Sequence, residues 1–110
     1  MIDPGSVVLV LFPGIQMTKP RPAVVISTAV HQTTHGDMVL GVLTGNLAQA
    51  RGPTDYVLQD FALAGLRKAS AFRVFLVTKP PSDILRVLGK LSDRDWQEVQ
   101  TRLRLALAVT

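Results

Sequence analysis

Lys19-Pro20-Arg21-Pro22-Ala23-Val24-Val25-Ile26-Ser27 reads as a stiff, charged approach to a buried strand. Proline fixes its own φ and pushes the residue before it into extended geometry, so Lys19 and Arg21 are both held on extended backbone ahead of a β-branched run. A guanidinium set between two prolines at the mouth of a hydrophobic strand is a positioned cation. Its natural partner is a planar anion, a carboxylate or a phosphate, which the arginine fork grips through two hydrogen bonds. The plainer reading is a salt bridge at the edge of a sheet, with Asp37 or Asp55 as the partner.

Outward from this run the first two thirds of the chain read as strands. Val7 to Phe12 is a short apolar run after Pro4-Gly5, and Ala23 to Ile26 is a second; Pro13-Gly14 begins the connection between them. The polar stretch from His31 to Asp37 reads as a loop before a third strand, Met38 to Leu43. Thr44-Gly45-Asn46 and Gly52-Pro53-Thr54 punctuate the chain. Asp55 to Leu58 then alternates polar and apolar as a half-exposed strand does. Ser70 to Val77 is a further strand, stopped by Pro80-Pro81. Ser82 to Gly89 fits either a short helix closed by Gly89 or a turn leading into a strand.

One helix is expected, at the tail. Ser92-Asp93-Arg94-Asp95 resembles a capping box, and its early acids suit the helix dipole. Trp96, Val99, Leu103 and Ala106 fall on one face, so the helix lays a single apolar stripe on the sheet. With no repeat or linker visible, residues 1–110 are read as one domain: a strand-rich barrel or open sheet closed by a C-terminal helix.

Composition narrows the function classes. The chain has 110 residues, 47% of them hydrophobic, which is enough for one core. A formal charge of +4 favours an anionic partner. The absence of cysteine excludes disulfides, thiolate metal sites and cysteine nucleophiles. The first residues lack a charged region followed by a signal core, and no apolar stretch reaches the length of a membrane span. The expectation is a soluble cytoplasmic protein with no membrane role.

Four pieces of the chain, in order, carry a resemblance. They are Gly5-Ser6-Val7-Val8-Leu9-Val10 with Phe12-Pro13, the run from Pro20 to Ser27, Leu43-Thr44, and Gly89-Lys90-Leu91-Ser92 ahead of a helix. Together they resemble the MazF/PemK family of toxin endoribonucleases from type II toxin-antitoxin systems, over nearly the whole chain. The resemblance implies a mainly β (α+β) fold, an SH3-like barrel of the CcdB/PemK type with a C-terminal α-helix. It also implies a homodimer, an mRNA interferase that cuts single-stranded RNA with neither metal nor cofactor, and a cognate antitoxin that blocks the RNA groove. The chain departs from the family pattern at Ser6, where an acidic residue is usual, in the segment from Pro13 to Thr18, at Gly45 after Thr44, and at Pro80-Pro81.

The resemblance assigns catalytic roles to Arg21, which matches the family's arginine in the Arg-Pro motif, and to Thr44, which matches its threonine at the end of the third strand. The chemistry suits them. RNA carries its own nucleophile in the 2′-hydroxyl, so the enzyme has to manage protons and stabilise charge growing on the phosphate. An arginine fork and a hydroxyl fixed at a strand end do the second. Ser70 and Arg73 match a serine and a basic residue on a strand near the site. Lys19, Arg51, Arg67, Lys68 and Arg73 are expected to track the RNA backbone, and unstacked bases would lie on aromatic rings, with Tyr56 and Phe72 either exposed for that purpose or part of the core.

Plainer roles exist for each. Thr44 suits a turn, bonding its own backbone before Gly45-Asn46. His31 and His35 could form an acid and base pair, but polar loops usually keep such residues solvated, and they are read as incidental. Two other functions fit the same fold: a gyrase-binding toxin of the CcdB type, and a silent barrel that binds protein. The first depends on a C-terminal Trp-Gly-Ile tail, whereas this chain ends Leu107-Ala108-Val109-Thr110 and has its only tryptophan at Trp96.

Overall fold

The proline-flanked run becomes the second of six strands among the described residues. The structure, a computed structural model, describes residues 2–11 and 19–109. Its strands are β1 (Ser6–Val10), β2 (Arg21–Val25), β3 (Met38–Thr44), β4 (Tyr56–Val57), β5 (Ala71–Lys79) and β6 (Ile84–Lys90), and its helices are α1 (Ala29–His35) and α2 (Asp93–Ala106). The strands form one antiparallel sheet in the order β4-β5-β3-β2-β1-β6. This is the mainly β, α+β barrel with a C-terminal helix that the sequence led us to expect. Phe12, placed at the end of β1 by sequence, lies outside the described residues, as does the segment 13–18.

Alternation along the strands splits the core in two. Val7 and Val24 point to one face, where they pack with Leu43, Tyr56, Phe72 and Val99 beneath α2. Val8, Val10, Ala23, Val25, Met38 and Leu40 point to the other. This is the period-2 rule applied to strands buried on both faces. The segment between β4 and β5 closes the barrel by lying against β6. A Cβ built at Gly65, which has φ +82°, would overlap the Leu88 carbonyl oxygen, so only glycine permits the approach.

Two local expectations are corrected, and one left open is decided. The stretch His31 to Asp37 is largely helix rather than loop: Thr28 caps α1 by accepting the His31 N–H at 3.3 Å, and Gly36 ends it in left-handed geometry. Ser82 to Gly89 resolves as a short turn, Pro81–Asp83, followed by strand β6. Ser92 does cap α2, accepting the Asp95 N–H at 3.2 Å, but Asp95 does not complete the box. Its carboxylate is buried and accepts from Tyr56 Oη at 2.6 Å, Asp60 N at 2.8 Å and Gln59 N at 3.0 Å.

That carboxylate fastens α2 to the barrel. Asp60 extends the network, accepting from Ser92 Oγ at 2.6 Å and Arg94 Nη2 at 2.8 Å. Arg94 first, and then Ser92, hold the Asp60 carboxyl below the usual carboxylate range, while burial and the Asp95 bond push the Tyr56 phenol well above its ordinary value. Val99 is buried, and Trp96 and Leu103 are packed against the core, whereas Ala106 is exposed, so the predicted stripe fades in the last turn. Among the described residues no helix is long and apolar enough to cross a membrane.

Candidate active site

The strand β2 begins at Arg21, not at Ala23, so the guanidinium rises from the sheet itself. Register then decides its neighbour. Ala23 pairs with Val42 in β3, and continuing that antiparallel pairing two residues outward sets Arg21 across from Thr44, the last residue of β3. Both side chains lie on the face of Ala23 and Val42, where the second core gives way to solvent.

The adjacent strand is irregular at this height. Gly41 pairs with Leu76 and Leu43 with Phe72, so residues 73–75 of β5 all stand against the single residue Val42. This is an enlarged bulge. Val74, at its centre, has φ 58°. A β-branched residue in left-handed geometry is strained by about 1–3 kcal/mol, and here the strain is held because the Val74 side chain packs into the first core. Its neighbours Arg73 and Phe75 are thereby lifted out of the sheet on the Arg21 side.

Two adjoining hollows result. The first, about 320 Å³, is lined by Arg21, Val42, Leu43, Thr44, Arg73 and Phe75. The second, about 460 Å³, shares Arg21, Val42, Leu43 and Phe75 and adds Lys19, Pro20, Pro22, Gly45, Lys68 and Ser70. Arg21 stands where they meet. Of the residues singled out by sequence, Arg21, Thr44 and Arg73 share the first hollow, and Lys19, Lys68 and Ser70 surround the second. Arg51 is exposed and lines neither, and Arg67 is likewise outside both.

The polar contacts separate held groups from free ones. Thr44 Oγ1 accepts the Asn46 N–H at 3.1 Å, so the turn role is real, and the hydroxyl proton remains available to another acceptor. Arg73 Nε donates to Asp55 Oδ1 at 3.4 Å, and Asp55 is itself fixed by the Gly52 N–H at 2.9 Å. Ser70 is buried and donates to the Lys68 carbonyl at 3.1 Å, which steadies the backbone carrying Lys68. Neither proposed carboxylate partner reaches Arg21: Asp55 faces Arg73, and Asp37 lies 3.0 Å from His31 Nε2. Among the described residues nothing holds the Arg21 side chain by a hydrogen bond or ion pair. His31 and His35 stack on each other in α1 and line neither hollow.

Sequence reasoning missed Phe75. Tyr56 and Phe72, weighed as exposed rings, are both core, with relative exposures of 7% and 0%, whereas Phe75 is 55% exposed. The alternation of Phe72, Val74 and Leu76 against Arg73 and Phe75 was the available signal. Among the described residues no group of three or more potential metal-ligating side chains gathers.

A small curled barrel, its C-terminal helix packed on one face and, on the other, an arginine with no partner among the described residues beside a hydroxyl at a strand end, defines the structural class. The particular family follows from the sequence match. Residues 3–107 match the PemK-like, MazF-like toxin of type II toxin-antitoxin systems, and the chain belongs to that family. No curated protein sequence is a significant match. Similar solved structures include an endoribonuclease in complex with its cognate antitoxin from a mycobacterial species, 16% identical with TM-score 0.78, covering 100% of this chain and 98% of that one. A MazE-MazF structure from Deinococcus radiodurans is 22% identical with TM-score 0.74, covering 99% and 97% of the two chains. The Mycobacterium tuberculosis toxin MazF-mt6 is 18% identical with TM-score 0.72, covering 96% and 98%. These likenesses establish the shared fold.

Proposed function

We propose that this toxin is an endoribonuclease that cuts single-stranded RNA, with Arg21 and Thr44 acting on the scissile phosphate and no metal ion or cofactor taking part. The observation that carries the reading is an arginine with no partner among the described residues, opening on the same hollow as the Thr44 hydroxyl and Arg73. The family supports it, and so do the neighbours named as an endoribonuclease and as MazE-MazF. By the same reading the protein is a cytoplasmic homodimer, specific for an RNA sequence, and is silenced by a cognate antitoxin seated over the groove.

In this mechanism the ribose 2′-oxygen attacks phosphorus and loses its proton, the bond from phosphorus to the 5′ oxygen breaks, and that oxygen gains a proton. The products are a 2′,3′-cyclic phosphate and a 5′-hydroxyl. Arg21 donates two hydrogen bonds to the phosphoryl oxygens, where negative charge accumulates, and Thr44 donates a third from a fixed strand end. Arg73 adds a second positive charge to the same hollow. Lys19 and Lys68 engage flanking phosphates, Ser70 keeps Lys68 in place, and Arg51 meets the backbone farther along the strand.

Among the described residues neither histidine nor carboxylate lines the hollows, so proton traffic runs through water and the Arg21 guanidinium. The rate is therefore expected to show no bell centred near neutrality. The purified chain, given mixed-sequence single-stranded RNA in excess chelator, should release fragments with cyclic phosphate and 5′-hydroxyl ends. Intact RNA, or fragments with 5′-phosphates, would contradict the proposal.

A further inference from the structure

We propose that Phe75 is the stacking platform for one unstacked RNA base next to the phosphate held by Arg21; this rests on the ribonuclease reading of the groove and names a specificity-determining residue within it. Three observations converge on Phe75. It is 55% exposed on a strand whose one other ring, Phe72, is fully buried. It lines both hollows, with Arg21 at the same junction. And it is put there by the bulge, at whose centre Val74 keeps a left-handed backbone. A regular β5 would need neither the strained valine nor the exposed ring, and strain retained beside a site points to use.

The two hollows differ in chemistry in a way that fits one nucleotide. The first brings two guanidinium groups and a hydroxyl to one place, which suits a phosphate. The second is walled by Pro20, Pro22, Val42 and Phe75, with Lys19 and Lys68 at its margin. Its volume of about 460 Å³ falls in the range of ligand-binding pockets. Flat apolar walls with a cationic margin accept a base by its faces and the adjoining phosphate by charge, and base stacking on an aromatic ring is the usual way single strands are held. A base seated between Phe75 and the prolines would leave its ribose at the junction, beside Arg21.

The test uses the intact protein and a short 2′-fluoro RNA of mixed sequence, which lacks the nucleophile and cannot be cut, with 2-aminopurine placed at successive positions. Binding to the wild-type protein should quench the fluorophore at one position. Phe75→Ala should abolish that quench and weaken binding about 10-fold, the scale of one lost stacking contact. Phe75→Tyr should keep both, and the melting temperature of each variant should match wild type because the ring is largely exposed. On cleavable RNA, Phe75→Ala should relax the base preference at a single position beside the cut. Absence of a quench with the wild-type protein, or a quench that survives Phe75→Ala, would overturn the proposal. A wild-type protein that binds and quenches yet cuts no RNA would leave the platform standing and refute the ribonuclease reading instead.

Discussion

Two polar regions of this barrel use similar side chains to opposite ends. Around Asp95, each carboxylate oxygen meets a donor: Tyr56, Gln59 and Asp60 give theirs to Asp95, and Ser92 and Arg94 give theirs to Asp60. Among the described residues no buried side-chain nitrogen or oxygen lacks a partner. Around Arg21 the reverse holds. The guanidinium is exposed and has no partner among the described residues, the Thr44 hydroxyl is held by its oxygen with its proton to spare, and a valine is kept in a costly conformation nearby. A satisfied network lowers the free energy of the fold, whereas an unsatisfied one leaves capacity for a ligand. Function is to be sought at the charges the fold leaves alone.

Substitutions that separate stability from activity sharpen this contrast. The largest effect is expected from Asp95→Ala, which strips the acceptor from three donors at once. Denaturant unfolding should show a loss of about 4 kcal/mol, while the molecules that remain folded keep the activity proposed above. Thr44→Val keeps the shape and removes the donor. Cleavage should fall roughly 10²-fold, the scale of one lost transition-state hydrogen bond, while melting temperature falls only slightly because the exposed Asn46 N–H that loses its acceptor turns to water. Lower stability with wild-type cleavage by the folded molecules would mean that the turn to Asn46 is the residue's whole purpose.

Arg73→Ala tests the second cation. RNA binding should weaken several-fold, and the slope of log affinity against log salt should become shallower by about one unit, with sequence preference unchanged. The smallest effect concerns Asp60. Its carboxyl titrates lower in the folded protein than in the unfolded chain, chiefly because Arg94 donates to it. Its contribution is therefore complete above the unfolded carboxylate range and is lost as pH falls through the folded value. Melting temperature should decline on acidification below about pH 4, and Arg94→Ala should flatten that decline.

Much of the fold was legible because it follows from local rules. Pro20 and Pro22 flank a β-branched run, the strands alternate as their two cores require, and Ser92 caps α2. The helix α1 escaped notice because it has no apolar stripe, although Thr28 and Gly36 were the cap residues to read. The candidate site was legible in part. Arg21 and Thr44 could be named from their place in a pattern, but their facing one another is a consequence of register between β2 and β3, which no single strand reveals. Alternation could have set Phe75 on the Arg73 face, but its place beside Arg21, like the inward turn of Asp95, was hidden for the same reason. The first depends on a bulge set by the pairing of β5 with β3, and the second on an acid three residues into a helix turning inward to meet Tyr56.

The role of the Arg21 fork is decided by cleavage with Arg21→Ala and Arg21→Lys, measured beside wild type on mixed-sequence single-stranded RNA in chelator. A loss of about 10³-fold with alanine, a large loss with lysine because a point charge cannot replace the fork, and unchanged melting curves for both are predicted. Wild-type rates from either folded variant would contradict the assignment of this arginine to the scissile phosphate.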